Sequence, residues 1–275
     1  DGLDILLVAV SDTVSRRFSP VAVAKGVVVI DNSSAYRMDP EVPLIVPEVN
    51  PQDISWHKGI IANPNCSTII ALVAVHALHK AHPIKRMIVS TYQAVSGAGI
   101  NGLKELEEHA ADYASGRPIS ENKVFQHQIA FNLIPHIDAF QDNGYTKEEL
   151  KMLNEGRKIF HEPDLDITCT CVRVPVLRSH SESIYLEFNE KVSVKEAREL
   201  ISAAAGTKLV DEPDRNVYPM PLDTSNQDLV FVGRIRQDMT EENALDLWCC
   251  GDQIRKGAAT NAVQIAELII AKERA

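Results

Sequence analysis

The sequence predicts an α/β protein in which a parallel α/β piece is followed by an α+β domain. Three observations carry that prediction. The chain opens on a nearly continuous apolar run, Leu3 to Val10, of the kind that a parallel sheet buries on both faces. A helix signal and a second apolar run, Val27 to Ile30, follow at once, which makes a βαβ unit and a parallel pair. Later the pattern changes to alternation, as in Ile167 to Val176, which suits a half-covered strand.

Local signals set the elements one by one. Ser11-Asp12-Thr13 reads as a helix start, and Gly26 stops that helix after about Lys25. Residues 31–59 are irregular, because Pro40, Pro43, Pro47 and Pro51 interrupt any long element. Residues 59–62 make a short strand, Asn63-Pro64-Asn65 turns the chain, and Cys66 opens an apolar helix to about Ala81. A strand over 86–93 leads through the tight loop 96–99 into a helix ending near Ala114. Residues 115–145, with Pro118, Pro135 and Gly144, read mostly as loop. A charged helix follows at 146–160, then the alternating strand 167–176 with 183–188 as its hairpin partner or neighbour. A helix at 194–205, strands near 229–236 and 244–250, and a helix over 253–273 complete the set. There is no internal repeat.

Composition narrows the function. The 275 residues are 45% hydrophobic and 24% charged, ordinary for a globular chain with a sizeable core. Net charge −10 argues against nucleic acid, which needs clustered cations, and against anionic membranes. No apolar run is long enough to span a bilayer, and no signal peptide is expected, since the first apolar run has no basic flank. Five cysteines, two adjacent and none in a CxxC pair, make neither a disulfide framework nor a zinc knuckle. A reducing, cytoplasmic setting and no metal are expected.

The sharpest local feature is Asn63-Pro64-Asn65-Cys66-Ser67-Thr68. Asn65 is a good N-cap, so Cys66 falls in a first helical turn, where free N–H groups and the helix dipole favour an anion. Such a thiol can be lowered into the range of roughly 3.5–7.5. The alternative is a buried cysteine packing as a small hydrophobe. On the strand that reaches Val176, period two puts Cys169, Cys171 and Arg173 on one face. An inward Arg there needs an anion, and a carboxylate fits its fork. His180 lies just past that strand, within reach of a cleft; a surface His is the alternative. Ser96-Gly97-Ala98-Gly99 could cradle a phosphate or ribose, a weak signal alone. Lys147 to Lys151 reads by default as a solvated face, and Cys249 and Cys250 as core.

In order along the chain, the segments 27–34 with Arg37, 47–50, 63–68, 90–99, 173–176 with His180, 231–236 and 256–261 together resemble the aspartate-semialdehyde dehydrogenases over almost the whole chain. The resemblance implies a partial doubly wound, Rossmann-like parallel sheet plus an α+β catalytic and dimerisation domain. It places residues 1–62 in the NADP-binding part, rejoined by the C-terminal helix 253–275, and 63–252 in the catalytic part. It implies Cys66 as nucleophile, His180 as acid/base and Gln93 as the residue orienting the acyl intermediate. Arg173 matches the substrate-carboxylate clamp and Glu148 the partner of the substrate amino group. Arg37, Asn65 and Lys151 match the phosphate site, and Ser96, Gly97 and Gln253 the nicotinamide side of NADP. A homodimer or homotetramer is implied, in lysine, threonine, methionine and diaminopimelate biosynthesis. The family's opening Gly-rich turn, which holds the cofactor pyrophosphate, has no counterpart in this sequence. Two other readings are an N-acetylglutamyl-phosphate reductase type of enzyme and a catalytically silent subunit.

Overall fold

The computed structural model describes residues 2–273; Asp1 and residues 274–275 of the expected segments lie outside them. The first unit is a parallel sheet of order β1-β2-β3, built from β1 (Ile5–Val8), β2 (Val28–Asp31) and β3 (Ile60–Ala62). The crossover helix α1 (Asp12–Val23) ends before Gly26, whose φ of +82° needs no Cβ. β2 is buried as its sequence demands. β1 is not: it is short, Leu3, Leu7 and Val10 are exposed, and so are Phe18 and Val21 of α1. It is an edge strand among the described residues, and none of them covers its outer face, which corrects the expectation of burial on both sides.

The second sheet has order β5-β4-β6-β9-β8-β7. Its strands are β4 (Ile84–Gln93), β5 (Asp166–Arg173), β6 (His180–Phe188), β7 (Thr207–Leu209), β8 (Val230–Gln237) and β9 (Ala244–Gly251). β5 pairs with β4 in parallel, and β6 pairs with β4 in antiparallel. Residues 167–176 and 183–188, expected to form a hairpin or lie as direct neighbours, therefore do neither, because β4 lies between them. The reason is local. Pro175 has no N–H for a ladder, so the chain leaves β5 after Arg173 and wraps over the end of β4. There Val174 N donates to Gln93 O and Val95 N donates to Val176 O. The same wrap lets β6 begin at His180, three residues earlier than expected.

Helix α2 (Cys66–Ala81) is apolar all round and buried along most of its length against the larger sheet, since a helix with no polar face is stable only when it is enclosed. The 3-10 turn Val95–Ala98 leads into α3 (Gly99–Ala114). α4 (Lys147–Phe160) and α5 (Val194–Ala203) pack beside α2, and α6 (Pro221–Thr224) is a single turn. The short β7 and α6 carry no sequence signal strong enough to separate them from loop. α4 starts with a capping box between Thr146 and Glu149. It is not a solvated face: Glu148, Glu149 and Glu155 point inward. The helix expected from residue 253 begins instead as a π-helical turn, Arg255–Ala259, before α7 (Thr260–Glu273). Ala262, Ile265 and Ile269 of α7 pack on Ile30, Ile45, Ile54 and Ile61, so the C-terminal helix returns to the first sheet.

Candidate active site

The site lies where α2, α4, the end of β4 and the π-helical turn converge. Asn65 caps α2: its Oδ1 accepts from Ser67 N and Thr68 N at 3.1 and 3.3 Å. The turn before it is anchored across the molecule, with Asn261 Nδ2 donating to Asn63 Oδ1 at 2.6 Å and Asn63 Nδ2 donating to Ala258 O at 3.3 Å. Lys256, fully buried, holds the π-helical turn by pairing with Glu48 at 2.6 Å. That turn brings Gly257 against Cys66: a Cβ built there would lie 3.0 Å from the Cys66 Cβ.

Two transverse rows of side chains cross the core face of the sheet. The register aligns Arg173 with Gln93, and His180 with Gly251. Gln93 Nε2 is 3.5 Å from His180 Nε2, and that same nitrogen lies 3.5 Å from Cys66 Sγ. One step along each strand's core face, Cys171, Thr91, Glu182 and Cys249 form the second row. Thr91 Oγ1 ties the rows by donating to Gln93 Oε1 at 3.0 Å.

His180 is fully buried, and its Nδ1 accepts from Ala94 N–H at 3.0 Å. A neutral ring with an acceptor at Nδ1 carries its proton on Nε2, facing the sulfur. Burial and the neighbouring Arg173 hold the ring's pKa well below the usual histidine value, so it stays neutral. The structure therefore presents the Nε2–H of a neutral ring toward the sulfur.

Cys66 is half-buried while the other four thiols are buried. Its thiol is pushed up to about 12, by burial first and then by the Glu148 carboxylate, against the opposing pull of Arg173, Arg37 and Ser67 N. This reverses the expected lowering: the helix terminus is present, but desolvation penalises the thiolate more than one turn of N–H groups favours it.

Of the three inward carboxylates of α4, two that are seven residues apart, Glu148 and Glu155, reach Asn65 beside Cys66. Glu148 Oε1 accepts from Asn65 Nδ2 at 3.0 Å and Gln93 Nε2 at 3.1 Å, and its Oε2 pairs with Lys151 at 2.9 Å. Burial opposes its charge, but Lys151, Asn65 and Gln93 outweigh burial and hold the carboxyl below its ordinary value. Lys151 also pairs with Asp138 at 3.0 Å. Glu155 bonds Arg37 Nη1 at 3.2 Å and Asn65 N at 2.6 Å. Arg37 Nε is buried with no partner. Sequence reading missed Glu155, although its seven-residue spacing from Glu148 puts both on one helical face. Arg173 is buried, donates from Nη1 to Ala94 O at 2.7 Å, and borders Gly97, where a Cβ would lie 2.8 Å from that nitrogen. Gln253 Nε2 donates to Ser96 Oγ, and its Oε1 accepts from Ser179 N at 2.9 Å. All eleven residues named from the sequence thus fall in one connected cluster. No group of His, Cys, Asp or Glu among the described residues is arranged to hold a metal ion.

Glu182 was not anticipated. It is fully buried, Oε1 has no hydrogen-bond partner, and the contact to Oε2 is Cys249 Sγ at 3.9 Å. Burial first, and then Cys171, raise its carboxyl well above the ordinary value. A raised folded-state pKa means the folded protein holds this proton more tightly than the unfolded chain. The stabilisation is complete below the unfolded carboxyl value and is lost as pH rises toward the folded value. Glu182→Gln, which cannot ionise, is therefore expected to match the parent in urea unfolding at pH 4 and to exceed it at pH 8 by roughly 1–3 kcal/mol. Equal differences at both pH values would mean that a partner already neutralises Glu182.

Comparison with known proteins bears on this cluster. Residues 75–256 match the semialdehyde dehydrogenase dimerisation domain, and residues 1–57 match the semialdehyde dehydrogenase NAD binding domain. The chain is 52% identical to the aspartate-semialdehyde dehydrogenase of Aquifex aeolicus over 98% of its own length and 80% of that protein. It is 51% identical to that of Synechocystis, over 98% and 79% respectively. The crystal structure of aspartate semialdehyde dehydrogenase II from Vibrio cholerae superimposes with a TM-score of 0.94 at 45% identity, covering 98% of this chain and 80% of that one. The structure of that Vibrio enzyme complexed with ASA also gives 0.94, at 44% identity over the same shares.

Proposed function

The chain belongs to the aspartate-semialdehyde dehydrogenase family, and on that footing we propose how its own residues carry the reaction. The protein is an oxidoreductase of amino-acid biosynthesis that interconverts L-aspartyl 4-phosphate and L-aspartate 4-semialdehyde with a nicotinamide dinucleotide. The observation that carries the assignment of residues is Cys66 Sγ, 3.5 Å from a buried histidine nitrogen that bears a proton.

In the oxidative direction the Cys66 thiol gives up its proton to solvent as its sulfur forms a C–S bond to the aldehyde carbon, and the carbonyl electron pair moves onto oxygen. His180 Nε2–H donates to that oxygen and stabilises its charge. The negative charge stays on the oxygen, so no base is needed to remove a hydroxyl proton. Gln93 holds the acyl group beside the ring. Inorganic phosphate then attacks the thioester carbon, the C–S bond breaks, and the thiolate returns to Cys66. Arg37, whose buried Nε has no partner, Asn65 and Lys151 receive the phosphate.

The residues fit NADP. Gly97 and Gly257 leave no space for a Cβ beside His180 and Cys66, so bare backbone borders the sulfur and would leave room for the nicotinamide end of a bound dinucleotide. Ser96, Gly97 and Gln253 would hold its nicotinamide end. When bound, the dinucleotide supplies the hydride acceptor that turns the sulfur adduct into a thioester, or the hydride in reverse.

Arg173 takes the substrate carboxylate and Glu148 its amino group. Arg173→Lys replaces a bidentate fork by a point charge, and its KM for the semialdehyde is expected to rise about tenfold or more with kcat within about twofold. A steady-state assay with saturating phosphate and NADP+ measures this. An unchanged KM would remove Arg173 from the substrate site.

The protein is a dimer, consistent with the matched dimerisation domain. We place the contact on the outer face of the larger sheet, where Ile88, Tyr92, Val172, Tyr185 and Trp248 are only half-buried. Tyr185→Asp, beside its register partner Asp246, is expected to give a monomer by light scattering at micromolar concentration. A dimer of that variant would move the interface elsewhere. The same reading divides the chain into 1–62 with 253–275, for the dinucleotide, and 63–252, for catalysis; the packing of α7 on β2 supports it. Five free thiols support a cytoplasmic setting. No helix of the described residues is long and apolar enough to cross a membrane.

A further inference from the structure

The long segment between α3 and α4 has almost no regular structure of its own, yet part of it is pinned unusually firmly. Glu105, buried in α3, accepts from three successive backbone N–H groups: Lys123 and Val124 into Oε2 at 2.8 and 2.5 Å, and Phe125 into Oε1 at 3.3 Å. A carboxylate with three such donors is firmly fixed. The pinned residue Phe125 is buried, and the Arg173 guanidinium carbon lies 5.8 Å from its ring centroid, inside cation–π range. The ring's seat depends on Gly102, where a Cβ would lie 3.1 Å from Phe125 Cζ and 2.5 Å from Val95 O. Further along, Ile134 exchanges both backbone hydrogen bonds with Arg173, at 3.0 and 2.8 Å. Phe125, Ile129, Ala130 and Ile134 close a small apolar core around Val95 and Leu106.

We propose that the 123–134 segment is a brace for Arg173, and that Glu105 and Phe125 are positioning residues for substrate-carboxylate recognition. Glu105 fixes the loop, the loop sets the Phe125 ring, and the ring with Ala94 O and Ile134 fixes where the guanidinium fork points. The proposal rests on the reading of Arg173 as the carboxylate clamp. It explains why a stretch with few sequence signals is nonetheless ordered around one side chain, since long irregular loops in compact domains are commonly functional.

The test compares Phe125→Leu and Glu105→Gln with Arg173→Lys in the oxidative assay. Phe125→Leu keeps an apolar filler and loses the π face. Its KM for the semialdehyde is expected to rise about three- to thirtyfold. The Ki of L-2-aminobutyrate, which carries the carboxylate and amino group but no carbonyl, should rise in parallel. The KM for phosphate and for NADP+ and the kcat should stay within about twofold. Glu105→Gln keeps one acceptor oxygen and should give the same pattern at smaller size. A merely structural loss would lower kcat or the folded fraction and leave the substrate KM and the Ki unchanged. If Arg173→Lys raises KM and neither other variant does, the brace is wrong. If Arg173→Lys leaves KM unchanged, the clamp reading itself is wrong. Should Phe125→Leu fail to fold, Glu105→Gln decides, and an unchanged Ki in that variant overturns the proposal.

Discussion

Cys66→Ser is expected to lose at least about a thousandfold in kcat, some 4 kcal/mol of barrier, while keeping its fold. The sulfur is the atom on which the acyl group is carried, and a serine ester would neither form readily at neutral pH nor return its acyl group to phosphate at a useful rate. Cys66 is half-buried and every other cysteine is buried, so limiting alkylation followed by peptide mapping should label Cys66 first, and the label should be absent from the variant. Because burial and Glu148 push this thiol up to about 12 in the free enzyme, the alkylation rate should climb about tenfold per pH unit from 7 to 10. A plateau near pH 7 would show that the helix terminus overcomes desolvation after all. Preferential labelling of Cys249 or Cys250 would sink the assignment of the nucleophile.

His180→Ala should cost about a hundred- to a thousandfold in kcat, the usual loss for an oxyanion donor, with little change in the substrate KM. His180→Gln, which keeps an N–H donor on a side chain of comparable reach, should recover part of that loss. A general base would not be rescued this way, because an amide cannot accept the proton. The pH profile separates the two roles again. Burial and Arg173 hold the ring neutral, and the charged groups facing the pair are Arg173 from β5, Glu148 from α4 and Arg37 from the segment after β2. Lowering the pH from 8 to 6 should therefore produce no loss of kcat traceable to His180, and wild type and His180→Gln should share the same profile shape. A limb near pH 6.5 that disappears in the variant would restore the acid/base role.

Much of this chemistry was legible along the chain, because it is encoded by near neighbours. Asn65 before an apolar helix places Cys66 in a first turn whatever surrounds it, and the cap forms as expected. Period two on a strand turns Arg173 to the same side as Cys169 and Cys171 whichever strand lies next door, and all three are buried. The helix expected over 253–273 must pack on something, and its regular part, 260–273, packs on the first sheet.

Other features depend on partners distant in sequence and become fixed only when those partners meet. β4 inserts between β5 and β6 because the 174–177 segment finds its hydrogen bonds at the end of β4; alternation alone cannot tell a hairpin from two neighbours of a third strand. The charges of α4 look solvated until Asn65, Gln93 and Arg37 come to meet Glu148 and Glu155. The proton of His180 sits on Nε2 because a backbone N–H from Ala94 occupies the other nitrogen. The thiol of Cys66 and the carboxyl of Glu182 titrate high because desolvation sums over everything packed around them. Local sequence sets which groups are available, whereas their charge and proton positions are properties of the whole enclosure.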